Sequence, residues 1–202
     1  MKKFFHDYAY SVVKMFVNQF AIAIFGASLA FATTRAHVGS TSFDTFTLIV
    51  SIFAILFYMF LLYTLTWEIG AKDRISVDTG RKPYRPHLGL LLAVMANIPN
   101  LILAVIYFVF SIVGFGDGMF LVGLVASLLQ GMFFGVMISI KIPLGAGGTY
   151  VALNTIWPTF FIIVIPALLI CWVGYYLGHK NFRILGSTVP SNNGSEKPSI
   201  KK

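Results

Sequence analysis

The sequence predicts an all-α fold: a polytopic helical bundle in which five apolar helices cross a membrane. Three observations predict it. The 202 residues are 57% hydrophobic and only 11% charged, with 20 phenylalanines, and the mean hydropathy is +0.82. A soluble domain coats itself with about 25% charged residues, so this chain has too few to cover a water-exposed surface. The apolar residues are gathered into stretches near the 20 residues that a helix needs to span the hydrocarbon core.

Those stretches are 15–33, 46–67, 88–113, 120–140 and 157–178, and none contains Asp, Glu, Lys or Arg. Hydrocarbon offers no partner to free backbone groups, so spanning segments must be helices or closed barrels. The runs are too long and too uniformly apolar for alternating barrel strands. Residues 1–186 thus form one transmembrane helical domain, and 187–202, rich in Ser, Pro, Asn and Lys, form a basic tail of the composition that stays disordered.

The connections differ in kind. Segment 34–45 is short and polar. Glu68–His87 reads as the one substantial loop, carrying Lys72, Arg74, Arg81, Lys82 and Arg85 against Glu68, Asp73 and Asp78. Gly114-Phe115-Gly116-Asp117-Gly118 is a tight turn, since glycine tolerates positive φ. Segment 141–156 holds Pro143 and Gly145-Ala146-Gly147-Gly148 and reads as a flexible connection. At the start of the chain Lys2 and Lys3 precede an apolar run, as in a signal peptide. Asp7 and the Asn18-Gln19 pair interrupt that pattern, so the first helix is expected to stay uncleaved.

The net charge of +8 would suggest nucleic acid in a soluble protein. Here the basic residues flank apolar segments, where they hold helix ends on the cytoplasmic side and meet anionic headgroups. Membrane lipids are therefore the expected partners, with other membrane or cytosolic subunits beside them and no nucleic acid. In a bacterium the location would be the plasma membrane. With the N-terminus inside, five spans leave Lys180 and Arg183 outside, against the positive-inside tendency. Four spans plus a re-entrant hairpin at 88–113, turning at Asn97-Ile98-Pro99-Asn100, would remove the conflict, because Pro99 breaks the helical bonding. The 26 residues of that segment, about 39 Å of helix, favour a single kinked span.

Enzyme signatures are absent. Gly145–Thr149 lacks the Gly-Lys-Ser/Thr that completes a phosphate-binding loop. The four histidines are scattered without metal-ligand spacing, and Cys171 is the single cysteine. Neither catalysis nor a cofactor is expected. Buried polar groups are the remaining candidates: Asn18 and Gln19 in the first span, Asn97 and Asn100 beside Pro99, and Gln130 midway along the fourth. Lipid-facing amides are unfavourable, so these five are expected to converge on an intramembrane polar site. Small residues one turn apart, Ala23/Ala27, Gly26/Ala30 and Gly131/Gly135, allow close helix approach. Arg81, Lys82 and Arg85 form a candidate surface for a lipid or partner. Asn193-Gly194-Ser195 matches the glycosylation acceptor pattern. The functional expectation is a small transport or ligand-binding membrane component, with a membrane scaffold or regulatory protein as the alternative.

Overall fold

The computed structural model describes residues 2–36, 43–144 and 149–182. The Gly145–Gly148 run, the Asn193 motif and the tail 187–202 lie outside the described residues. Among the described residues eight α-helices follow one another: α1 (Lys2–Ala36), α2 (Phe43–Asp78), α3 (Leu88–Ala96), α4 (Ile98–Val113), α5 (Gly116–Leu129), α6 (Phe134–Ser139), α7 (Thr159–Ile162) and α8 (Ile165–His179). Three segments, 7–33, 45–78 and 159–179, are long and apolar enough to cross a membrane. The pairs α3/α4 and α5/α6 raise the number to five if each is counted as one span.

The sequence reading requires three local corrections. First, α2 does not stop at Trp67 but runs on through residue 78, so most of the expected 68–87 loop is helix. Glu68 pairs with Lys72 at 2.6 Å and Arg74 with Asp78 at 3.5 Å, the i,i+4 spacing that supports an exposed helix. Second, the expected fourth helix is two. The chain bends by 91° between α5 and the 131–139 segment, through a 3₁₀ turn at Gly131–Phe133. Third, the polar 141–156 connection contains a short antiparallel hairpin, β1 (Lys141–Leu144) with β2 (Thr149–Ala152), which pairs Ile142 with Val151 and Pro143 with Tyr150. Pro143 cannot continue α6, and the β-branched and aromatic residues opposite suit a pleated ribbon.

Glycines set the packing. A Cβ at Gly70 would collide with the Tyr175 carbonyl oxygen, one at Gly174 with Thr66 Oγ1, and one at Gly178 with the Trp67 carbonyl oxygen. Along α2, Tyr63 and Thr66 meet Gly174, Trp67 meets Gly178, and Gly70 lies between Tyr175 and His179 of α8, so the contacts advance together along both helices. The two helices are parallel, and their backbones approach as only small residues allow. Antiparallel to α2 runs α1, held at one end by a 3.1 Å hydrogen bond between the hydroxyls of Thr33 and Thr47. At the other end Tyr8 bonds Asp73. The N-terminal turns of α1 and the C-terminal ends of α2 and α8 therefore share one end of the bundle.

Segment 116–139 turns through a right angle after α5. From Gly116, α5 packs along α4, with Gly123 against the Tyr107 ring. After the bend, Gly131 lies on the Ala23 carbonyl oxygen and Gly135 on that of Thr47. Phe134 meets Phe31 with ring centroids 5.2 Å apart. Ser51 locks the return strand: its hydroxyl donates to the Met132 carbonyl at 2.8 Å and accepts from the Val136 N–H at 3.2 Å. Gly116 and Phe134 line one groove together with Phe31, Tyr107 and Asn154.

Gly178→Val should separate α2 from α8 and destabilise the fold by about 1–3 kcal/mol, the usual range for overpacking. Gly116→Ala, with open space around the new methyl, should change little. Thermal melting of the two purified variants in one detergent checks this, and equal melting temperatures would refute the packing argument.

Candidate functional site

Both helix breaks fall on amides, and the two breaks meet. Asn97 separates α3 from α4, which diverge by 58°, and Pro99 starts α4 where its missing N–H is harmless. Asn97 repairs the break with its own side chain, donating from Nδ2 to the Ala93 carbonyl at 2.9 Å and accepting at Oδ1 from Asn100 Nδ2 at 3.0 Å. Gln130 separates α5 from the 3₁₀ turn. Gln19, Asn97, Asn100 and Gln130 are each no more than 3% exposed. They line one cavity of about 10 Å³ together with Tyr58, Met132, Phe133 and Val164. Asn18 is half-buried and does not line it.

The cluster has unused bonding capacity. Asn100 Oδ1 and both Gln130 side-chain atoms are buried and find no hydrogen-bond partner among the described residues. A buried polar atom left unpaired costs about 1–3 kcal/mol. The space suits a single water, which has the donors and acceptors to serve several amides at once. Chemically the junction can exchange hydrogen bonds with something small and polar. Tyr58 carries the one ionisable side chain in this lining, and among the described residues no group of three metal-binding side chains exists.

A second polar constellation lies at the shared end of α1, α2 and α8. Asp73 is 8% exposed. The Tyr8 hydroxyl lies 3.0 and 2.8 Å from its two carboxylate oxygens, and the Tyr175 hydroxyl donates to Oδ2 at 3.2 Å. Beside it opens a cavity of about 210 Å³ whose rim carries Arg81, Lys82 and Arg85. Lys82 is bound to Asp7 at 3.3 Å and lies over the Tyr8 ring. Arg81 and Arg85 are exposed.

The sequence reading named the rim but not Asp73, Tyr8 or Tyr175. One signal was available: Thr66, Gly70, Asp73 and Val77 recur at helical spacing, so a helix continued past Trp67 puts Asp73 on the face that packs against α8. The comparisons add no relative: the chain matches no protein-family model, no curated protein and no solved structure.

Asn97→Leu should remove two hydrogen bonds and lower stability by about 1–2 kcal/mol. Gln130→Met, which replaces an unpaired amide with an apolar chain of similar size, should leave stability unchanged or raise it. Denaturation of both variants in detergent checks the contrast. A large loss in Gln130→Met would mean that the amide is bonded after all.

Proposed function

We propose that this is a small multi-pass membrane protein that binds or passes a small polar solute, with the amide junction on the solute's path. The observation that carries the reading is the meeting of two helix breaks at buried, unpaired amides. Discontinuous helices at mid-bilayer line substrate and ion sites in transporters, because irregular backbone is tolerated only where protein or water satisfies it. Among the described residues, Asn100 Oδ1 and the Gln130 amide have no hydrogen-bond partner that would account for them as packing bonds. A cavity of one water's size corresponds to a closed path, opened by movement of α5 and α6 about the Gln130 bend.

The topology we propose has four crossings, by α1, α2, α3/α4 and α7/α8, with 116–139 as a re-entrant hairpin entering from the non-cytoplasmic side. The parallel pairing of α2 with α8 supports it, since α8 then ends on the side where α1 begins, as an even number of crossings requires. It also places Lys180 beside the cytoplasmic basic segment, as the positive-inside tendency favours, with Lys141 as the one described lysine on the opposite side. The re-entrant element is thus 116–139 and not 88–113. Membrane lipids surround the exposed Ile49, Phe53, Leu56 and Ile102, and companion subunits remain part of the proposal. A scaffold or regulatory protein is the second reading, favoured by the exposed arginines of the cytoplasmic rim.

Two labelling experiments in a Cys171→Ser background test these points. Cysteines at Thr79 and Phe182 should both be protected from an impermeant thiol reagent in intact cells and react after permeabilisation. Reaction of the Phe182 site from outside would restore five crossings. A cysteine at Gln130 should react with a small water-soluble methanethiosulfonate in the folded protein, whereas complete inertness from both sides would exclude a solute path through the junction.

A further inference from the structure

We infer that the Asp73 cavity is a binding site for a zwitterionic phosphate ester of the aminoethyl type, its ammonium directed to Asp73 and its phosphate to Arg81 and Arg85. The inference rests on the placement of this end at the cytoplasmic surface and is independent of the amide junction.

The inner pole is a carboxylate with too little compensation. A carboxylate offers about four acceptor positions, and among the described residues Asp73 receives the hydroxyls of Tyr8 and Tyr175 alone. None of its contacts is an ion pair. A buried charge is stable when a partner charge completes its bonding. The rim cations do not serve this purpose: Lys82 is committed to Asp7, while Arg81 and Arg85 are exposed at the rim and form no ion pair with Asp73. An ammonium entering the 210 Å³ cavity would supply three donors and a compensating charge.

The outer pole is of opposite sign and is held in place. Pro83 and Pro86 restrict the 79–87 turn. The Tyr84 ring stacks on His179 at 4.2 Å, and Lys82 fastens the segment to Asp7 at 3.3 Å. Arg81 and Arg85 form no salt bridge with any described residue. Guanidinium groups bind phosphate oxygens in fork geometry. One cavity therefore presents a carboxylate inside and two guanidiniums at its mouth, complementary to a ligand with separated opposite charges.

Depth points to the source of such a ligand. Asp73 lies six residues beyond Trp67, about 9 Å along α2, which is the headgroup layer outside the hydrocarbon core. An ethanolamine phospholipid of the cytoplasmic leaflet presents this chemistry at this depth, and a soluble aminoethyl phosphodiester presents the same two charges from the cytosol. A choline headgroup carries the charges but has no N–H to donate. A glycerol headgroup lacks the cation.

The test uses full-length protein in nanodiscs of equimolar ethanolamine, choline and glycerol phospholipids, with retained lipid measured by native mass spectrometry. Ethanolamine lipid should be enriched over both others. Asp73→Asn, which keeps acceptor oxygen for the tyrosines, should reduce the preference over the glycerol lipid roughly tenfold, the size of a charge-assisted hydrogen bond. The double variant Arg81→Gln/Arg85→Gln, on the exposed rim, should reduce total retention without altering melting. If glycerophosphoethanolamine protects the protein thermally while retained lipids match the bulk mixture, the same site takes the soluble ester. Enrichment of glycerol lipid over ethanolamine lipid overturns the inference, as does a preference unchanged in both variants or the absence of any effect of lipid and soluble ester alike.

Discussion

The close parallel contact of α2 with α8 is the constraint on which the rest of this structure depends. Gly70, Gly174 and Gly178 let backbone meet backbone, and a parallel pair brings both C-terminal ends to one end of the bundle. Everything else at that end follows. Tyr175 reaches Asp73 only because α8 runs alongside α2, and His179 is available to Tyr84 for the same reason. In a membrane no hydrophobic force draws apolar helices together, so contact depends on such fit and on interhelical hydrogen bonds. Three glycines in two helices therefore decide which side of the bundle the C-terminal end of α8 occupies.

The second organising feature is a conflict between backbone and solvent. Breaks at Asn97 and Gln130 free peptide groups in the middle of an apolar bundle, where each must be satisfied locally. The Asn97 break is satisfied by its own side chain. The return after Gln130 is satisfied by Ser51, a residue about 80 positions earlier in the chain. At the junction itself, the unpaired buried side-chain atoms among the described residues belong to Asn100 and Gln130.

The sequence made the apolar segments and the proline break legible because both are local properties. A run without charges and a Pro-flanked pair of asparagines carry their meaning within ten residues. The bend at Gln130 was less visible: Gly131 and Gly135 appeared as ordinary packing positions on one continuous helix. Their partners, Ala23 and Thr47, lie on α1 and α2. The continuation of α2 beyond Trp67 was hidden by charge, since Glu68, Lys72, Arg74 and Asp78 resemble a loop by composition and a helix by spacing. Asp73 stood among them as one carboxylate of several, and its burial depends on α8, about 100 residues away. Of the five amides, Gln19, Asn97, Asn100 and Gln130 line one cavity, while Asn18, the immediate neighbour of Gln19, is turned away by helical geometry.

The re-entrant arrangement proposed for 116–139 also implies an order of biosynthesis. Its turn exposes peptide groups that hydrocarbon cannot satisfy, and the donor that secures its return, Ser51, sits on α2 beside the Thr47 surface. In the proposed topology this segment has no stable place in the bilayer until α1 and α2 are already inserted and paired. The chain order meets that need, since both helices leave the ribosome long before residue 116. The α7/α8 segment, made last, then closes against α2. A permuted chain that began at residue 116 would encode the same native contacts, yet it would present the hairpin to lipid before any partner existed to receive it.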